Sequence, residues 1–166
     1  MKHIQKQAGV GLMEVLVALL ILSVGILGFV ALQYRAIDAS YEGGNRIQAI
    51  NLARDLSEKI RVNREQIAQY VTTTSGTITA LPTTNCFNVF CTPNQKAIFD
   101  ASVSKLAAQR IGMTMNMFTC PSVNNGRRCI YVAWGDTSAT NADGLNNCTT
   151  SGTYRAESTC VVMEAY

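Results

Sequence analysis

Residues 10–32, VGLMEVLVALLILSVGILGFVAL, form an apolar run with one ionisable side chain, Glu14. Residues 15–34 carry no charge, and a helix of that length spans a bilayer at about 1.5 Å per residue. A carboxylate in the middle of a membrane costs roughly 2.5–3.5 kcal/mol on insertion scales, so an acid in such a run indicates a function. The sequence therefore predicts a membrane-spanning helix with a functional acid near its start.

The residues before this run, MKHIQKQAG, form a short basic segment that contains Lys2 and Lys6 and has no apolar run of its own. An ordinary secretory signal has its apolar segment before the cleavage site. Here the small-residue junction with basic flanks ends at Gly9, before the apolar segment. Cleavage after Gly9 would leave the helix on the mature protein, with Val10 as the new α-amine and Glu14 as its fifth residue.

The stretch AGVGLMEVLVALLIL resembles the processing site of the type IV prepilins, in which a basic leader ends in Gly and an apolar helix follows with Glu as its fifth residue. The resemblance covers about the first 35 residues. Family members usually begin the mature chain with Phe, often followed by Thr, whereas this chain has Val10 and Gly11. The resemblance implies cleavage by a prepilin peptidase between Gly9 and Val10, methylation of the Val10 amine, and a role for Glu14 in subunit assembly.

Two other interpretations of the apolar run stay open. An uncleaved membrane anchor would explain the run and the basic N-terminus, but it gives no reason for Glu14. A conventional signal peptide cut near Ala31 would leave a soluble secreted protein. The prepilin and the uncleaved anchor are predicted to have the same orientation, because Lys2 and Lys6 favour a cytoplasmic N-terminus. The resemblance to the type IV prepilins implies a location in the bacterial inner membrane, single-pass with the head in the periplasm, and then in the pilus at the cell surface.

The cysteines predict disulfides. All six lie beyond the membrane segment, at Cys86, Cys91, Cys120, Cys129, Cys148 and Cys160. An even number in a small exported domain indicates a disulfide framework, although six cysteines allow 15 connectivities. Pairing of sequence neighbours is the simplest of these: 86 with 91, 120 with 129, and 148 with 160. A metal site is the alternative, but the spacings lack the tight CxxC pairs of zinc sites. The one histidine, His3, lies in the leader. No metal or cofactor is predicted.

Charge and composition argue against nucleic-acid binding and against catalysis. Loss of residues 1–9 removes two lysines and lowers the formal net charge from +3 to +1, which gives no electrostatic footprint for nucleic acid. The mature chain has no histidine to activate a Ser or Cys nucleophile, and it has no phosphate-binding glycine loop. Asp136 and Asp143 are interpreted as solvated acids of a polar loop. The sequence predicts a protein that is not an enzyme.

The long helix is predicted to continue beyond the membrane to about Tyr70. Charged residues occupy much of its exposed surface, and the weak points of the helix are predicted at Gly25, Gly28 and the pair Gly43 and Gly44. The polar run of residues 72–79 is predicted to end it. One apolar face recurs at helical steps and consists of Ile47, Ile50, Ala53, Leu56, Ile60 and Ile67.

A small α+β head is predicted after the helix. A second helix is expected over residues 95–110, with Phe99, Val103, Leu106 and Arg110 on one face. Alternation of Met113, Met115 and Met117 with polar or aromatic residues indicates a strand whose methionines face the core. An Asn124-Asn125-Gly126 turn, a strand over 128–134, a polar loop over 135–152 and a last strand over 157–165 follow. We expect an antiparallel sheet of three to four strands packed on the long helix, and a head so small that it depends on its disulfides.

Four segments follow from these patterns: a cleaved leader (1–9), a transmembrane helix that enters the filament core (10–34), the amphipathic half of that helix (35–71) and a disulfide-containing globular head (72–166). The order of membrane helix, second helix, hairpin with YVAWGD and final Cys-containing strand resembles the PilV-type minor pilins. This resemblance implies a type IV pilin-like fold and a minor pilin that primes a type IV pilus or enters it. The implied partners are other minor and major pilins, the prepilin peptidase and the inner-membrane assembly platform.

Two alternatives remain for the function. The pseudopilins of type II secretion systems share the same N-terminus, although several cysteines and an elaborated head favour the pilus. A pilus-tip binding module is the second alternative, located in the loop of residues 135–152. A concave aromatic patch formed by Tyr131, Trp134 and Tyr154 would support that module, whereas a smooth polar loop would not.

Overall fold

The computed structural model describes residues 9, 11–121 and 126–165. Most of the predicted leader, Val10, and Asn124 and Asn125 of the predicted turn lie outside the described residues. The chain divides into two compact units, of which the first ends at Glu42 and the second begins at Gly43. The second is called the globular unit below.

Helix α1 runs as one α-helix of 51 residues, Leu12–Val62. It continues without interruption through the predicted weak points at Gly25, Gly28, Gly43 and Gly44. A glycine costs a helix only about 1 kcal/mol relative to alanine, and a helix that is already nucleated extends readily through such a position. The helix is interrupted instead at Asn63, far from any of these glycines.

The predicted end of the long helix near Tyr70 is wrong in detail. Asn63 leaves the helical conformation (φ −130°, ψ 44°), a 3-10 turn follows over Arg64–Gln66, and helix α2 spans Ile67–Ser75. The amide of the Asn63 side chain donates to the carbonyl of Pro93 at 2.7 Å, so a residue 30 positions away stabilises the break. The polar run that was predicted to end the helix belongs to α2 up to Ser75.

Helix α3 spans Pro93–Arg110 and begins with a capping box. The Thr92 hydroxyl accepts from the backbone N–H of Gln95 at 3.3 Å, and the Gln95 side chain accepts from the Thr92 N–H at 3.0 Å. Pro93 occupies the first helical position, where its missing N–H costs nothing. The helix therefore starts two residues earlier than predicted, and the sequence Thr-Pro-Asn-Gln carried that signal.

The buried helix faces differ from the predicted ones. On α1, Ile47 is 62% exposed, whereas Ala49, which was not predicted, is fully buried with Ala53, Leu56 and Ile60. On α3, Phe99 is buried as predicted, but Val103 and Leu106 are only half-buried and Arg110 is exposed. Small side chains let the helices approach closely, so the buried face of α3 consists mainly of Ala97, Ala101, Ser104, Lys105 and Ala108.

The predicted antiparallel sheet is confirmed. Strands β1 (Thr114–Thr119), β2 (Arg128–Ala133) and β6 (Cys160–Ala165) form a three-stranded antiparallel sheet with β2 in the centre. Its inner face carries Met115 and Met117, and both methionines join the core that contains Leu56 and Ile60 of α1. The methionine stripe is therefore core, as predicted.

The segment predicted as a polar loop over 135–152 is not a simple loop. It contains β3 (Ser138–Asn141) and β4 (Asn147–Thr150), which pair in parallel, and β5 (Thr153–Tyr154) pairs with β4 antiparallel. The Asn141 side-chain oxygen accepts from the Thr149 hydroxyl at 2.8 Å and from the Gly152 N–H at 3.1 Å. These strands are organised by side-chain hydrogen bonds, and their sequences lack the regular alternation of apolar and polar residues from which strands are normally predicted.

Three disulfides connect sequence neighbours: Cys86–Cys91, Cys120–Cys129 and Cys148–Cys160. Cys120–Cys129 joins the ends of β1 and β2. Cys148–Cys160 joins β4 to β6 and so connects the two sheets. Cys86–Cys91 closes a small loop before α3. The predicted fold class, a long N-terminal helix and a small disulfide-stapled antiparallel sheet, is confirmed.

Candidate functional site

The predicted site residues of the N-terminal segment lie at the start of α1. Gly9 is exposed and outside regular structure, Val10 lies outside the described residues, and Gly11 directly precedes the helix. Glu14 lies in the first turn of α1, and its backbone N–H donates to the Gly11 carbonyl at 2.9 Å. A carboxylate at this end of a helix interacts favourably with the unpaired N–H groups, typically by 0.3–1 kcal/mol.

The apolar half of α1 is exposed along its length in the part of the chain that the structure describes. Every large apolar side chain between Leu12 and Leu32 is 47–81% exposed. A surface this large and continuous marks contact with a membrane or with other proteins. By length and composition, α1 is the one helix in the described part of the chain that could cross a membrane.

A shallow depression adjoins Glu14 on this surface. It is lined by Val15, Ala18, Leu19 and Leu22, which follow Glu14 along one side of the helix. Ala18 lies one turn after Glu14 and has the smallest side chain of the set. The carboxylate can therefore be reached by a group from another molecule that lies against this side of α1.

The cysteines supply no chemistry beyond cross-linking. None of the six is free, so none serves as a thiolate ligand or nucleophile. Within the described ranges, no group of three His, Cys, Asp or Glu side chains is placed to hold a metal ion. Asp136 and Asp143 are both exposed, and Asp136 lines a groove together with Asn147, Arg155 and Glu157.

The aromatic patch that would have supported a tip-binding module is not formed. Tyr131 is fully buried, Trp134 is 6% exposed, and of the three residues only Tyr154 reaches solvent. The Tyr154 hydroxyl accepts from the backbone N–H of Val162 on β6 at 2.8 Å, so that ring is engaged with the sheet. The neighbouring groove, which Asp136 lines, exposes polar and apolar surface in similar amounts.

Two buried polar clusters in the globular unit were missed from the sequence. Lys105 donates to the carbonyls of Thr74 and Gly76 at 2.5 and 2.6 Å, and burial lowers its pKa. Tyr70 donates to the Asp100 carboxylate at 3.2 Å; burial, together with the negative charge of Asp100, raises the pKa of Tyr70 well above its ordinary range. A lysine or an aspartate in a helix normally indicates a solvent-facing position, so the sequence held no signal for either cluster.

An exposed apolar helix with an acid in its first turn, followed by a disulfide-stapled α+β unit, is typical of prepilin-type filament subunits. Comparison with protein families supports this class in two adjoining stretches. Residues 4–30 match the prokaryotic N-terminal methylation motif, and residues 31–102 match the family described as type IV pilin Tt1218. No curated protein and no solved structure matches the chain.

The chain is therefore similar to the type IV pilin family over residues 31–102 and to the prepilin N-methylation motif over residues 4–30. The family is structural rather than enzymatic. The similarity is consistent with processing by a prepilin peptidase and assembly with other pilins, and the apolar helix fits anchoring in the inner membrane and residence in a pilus.

Proposed function

We propose that the protein is a minor pilin of the PilV type, a subunit that primes assembly of a type IV pilus or is incorporated into it. The prepilin peptidase cleaves between Gly9 and Val10, and the Val10 amine is methylated. Before assembly the protein crosses the inner membrane once. Lys2 and Lys6 hold the N-terminus in the cytoplasm, and the globular unit lies in the periplasm.

One observation carries this proposal: the apolar half of α1 is uncovered along its length and has Glu14 at its start. In the bilayer, Glu14 lies near the cytoplasmic end of the helix, where water can reach it. Transfer into a bundle of packed helices removes that water, and a buried carboxylate is costly unless it is paired. The acid therefore needs a cation in the assembled filament.

The cation is the α-amine of the first residue of a neighbouring subunit. Pairing of that amine with Glu14 fixes the axial position of one subunit against the next, because only one register brings the two charges together. The small side chain of Ala18 beside Glu14 leaves room for the neighbour. The chain's own Val10 amine is a second candidate, since Val10 is one helical turn before Glu14.

A pseudopilin of a type II secretion system would use the same N-terminal features. The three disulfides and the additional sheet formed by β3, β4 and β5 make the head more elaborate. An elaborate head with several cysteines favours a pilus subunit over a pseudopilin. A tip-binding module receives no such support, since Tyr131 and Trp134 are buried.

The test is affinity purification of the full-length protein from its own detergent-solubilised envelope, with co-purifying proteins identified by mass spectrometry. An unrelated single-pass inner-membrane protein with the same tag serves as the control. The proposal predicts recovery of other pilins above the control. Recovery of secretion-system pseudopilins instead would support the rival, and recovery of neither would contradict both.

A further inference from the structure

Two consecutive glycines, Gly43 and Gly44, lie inside α1 where the first compact unit ends and the globular unit begins. Neither position has a positive φ, and a methyl group added at either would meet no other part of the chain within 4 Å. Glycine is therefore required here neither by backbone conformation nor by close packing. It is nevertheless the poorest helix former after proline, because it has the most conformational freedom to lose.

No tertiary packing holds the helix at this point. Residues 33–43 are exposed, and the first buried residue of α1 is Ala49, more than one turn after Gly44. Helices in proteins are stabilised mainly by packing of a buried face, so the stretch around the two glycines depends on its own hydrogen bonds. Glycine also leaves those bonds open to water.

A serine one turn earlier weakens the same stretch. The Ser40 hydroxyl donates to the carbonyl of Ala36 at 2.8 Å, which is also the carbonyl that the N–H of Ser40 faces in an α-helix. A serine that bonds back to position i−4 destabilises a helix slightly and favours bending. Sharp helix bends are frequent where glycine and serine occur together.

We propose that residues 40–44 are a hinge, at which α1 opens locally and bends. This inference rests on the proposed role as a pilus subunit that moves from the bilayer into a filament, because the hinge lets the globular unit take the direction that each setting requires. Gly25 and Gly28 are less suitable as a hinge in the membrane. They lie in the apolar half of α1, where no water replaces a broken helix bond.

Bending is measured by double electron–electron resonance on the full-length protein in lipid nanodiscs. Nitroxides are attached to p-acetylphenylalanine introduced at the labelled positions, so the cysteines stay in their disulfides. One pair, at Tyr34 and Arg54, spans the hinge, and a control pair, at Arg46 and Arg61, lies after it in α1. All four positions are exposed, and a straight helix separates the pairs by about 30 Å and about 22 Å along its axis.

Two double variants distinguish a hinge from a contact site for a neighbouring helix. Gly43→Ala with Gly44→Ala favours the helical form by about fivefold per residue, or about 25-fold for both. Gly43→Asn with Gly44→Asn introduces larger side chains but keeps the helix weak, since asparagine is a poor helix former. Recovery of partner pilins from the envelope is compared for wild type and both variants at matched membrane levels.

For wild type, the proposal predicts a broader distance distribution for the pair that spans the hinge than for the control pair, with a component well below 30 Å. The share of that component should fall about 25-fold in the alanine variant. Recovery of partner pilins should fall at least about fivefold in that variant, because only the hinged fraction is competent. The asparagine variant should stay closer to wild type in both measurements.

Equally narrow distributions for the two pairs in wild type would overturn the hinge, as would a distribution that the alanine variant leaves unchanged. Greater loss of partner pilins in the asparagine variant than in the alanine variant would also overturn it, and would assign the glycines to close contact with a neighbour. Equal recovery by wild type and the alanine variant would overturn the role of the hinge in assembly while leaving the proposed function intact. Absence of all pilins from the wild-type purification would contradict the proposed function itself.

Discussion

The ammonium of Lys105 lies 2.6 Å from the carbonyl oxygen of Gly76, and it also donates to the carbonyl of Thr74. The last carbonyls of a helix have no donors within the helix. A lysine from α3 therefore caps the carboxyl end of α2, where a positive charge is favourable. This contact joins two helices that are separated in sequence by the uncharged segment containing the Cys86–Cys91 loop.

Replacement of this cap should destabilise the globular unit. We expect Lys105→Met to lower the free energy of unfolding by about 1.5–3 kcal/mol, because bonds from a charged donor are lost and the Thr74 carbonyl loses its partner. Urea unfolding of the full-length protein in detergent, followed by fluorescence of the single tryptophan, Trp134, measures the effect. Arg61→Met, which removes an exposed charge of α1, should change the value by less than about 0.5 kcal/mol. An equal loss in both variants would contradict the capping role.

The buried tyrosine predicts how stability changes at alkaline pH. Burial and the Asp100 carboxylate raise the pKa of Tyr70, so above pH of about 10 the unfolded chain loses this proton while the folded chain retains it. The unfolded state then binds fewer protons, and stability falls as pH rises. Burial lowers the pKa of Lys105, which contributes with the opposite sign.

Comparison of Tyr70→Phe with wild type isolates the tyrosine contribution. We expect Tyr70→Phe to cost about 1 kcal/mol at neutral pH through loss of the bond to Asp100, and to lose stability less steeply than wild type between pH 9.5 and 11. Tyr41→Phe, on an exposed part of α1, should follow the wild-type curve. Parallel curves for Tyr70→Phe and wild type would show that Tyr70 ionises alike in both states.

The three disulfides should differ in their resistance to reduction. Cys86 and Cys91 are half-buried, whereas the other four cysteines are at most 8% exposed. Access of the attacking thiolate controls exchange, so graded reduction of the folded protein should expose Cys86 and Cys91 first. Peptide mass spectrometry after alkylation identifies the order. The denatured, unreduced protein should take up no alkylating group; labelling of two or more cysteines would show that oxidation is incomplete.

Loss of the bridge between β1 and β2 should be costly. Cys120→Ser combined with Cys129→Ser is expected to lower the free energy of unfolding by about 2–5 kcal/mol, the usual range for a small exported domain. The same urea titration measures it. Wild-type stability in the double variant would mean that the core alone holds the sheet.

Processing of the leader is the next prediction. Intact mass of the protein from the envelope should correspond to a chain that begins at methylated Val10. The reason is the basic leader that ends in Gly9 directly before the apolar helix. Protein that still carries residues 1–9 in a strain with an active prepilin peptidase would contradict cleavage at this bond.

The sequence predicts this fold where local chemistry decides it. The apolar run, the alternation of Met113, Met115 and Met117, and cysteines close in sequence each carry their own signal, and the structure agrees with all three. The break of the long helix at Asn63 depends on the carbonyl of Pro93, and the burial of Lys105 depends on the end of α2. Both require partners that are distant in the chain, so no local pattern could indicate them.

The candidate site could likewise be predicted from the sequence only in part. Glu14 is conspicuous because it is the one charge in a long apolar segment, and the structure places it on an uncovered helix. The short strands β3 to β5 were missed because each of β3 and β4 contributes only one buried apolar residue, Ala139 and Cys148, and hydrogen bonds of Asn and Thr side chains organise the rest.

The central claim is that Glu14 pairs with an amine between subunits, and variants of this residue test it most directly. Wild type, Glu14→Ala, Glu14→Asp and the control Glu58→Ala, which removes an exposed acid of the same helix, are compared at matched membrane levels for co-purification of partner pilins. Synthesis, insertion and cleavage should be largely unchanged. Recovery should fall at least about tenfold for Glu14→Ala, because one partner of a buried ion pair left alone costs roughly 3–5 kcal/mol. It should fall partly for Glu14→Asp, whose side chain is shorter, and stay at the wild-type level for Glu58→Ala. Undiminished association of the processed Glu14→Ala protein would show that the acid serves only the enzymes that modify the terminus, and would contradict the pairing.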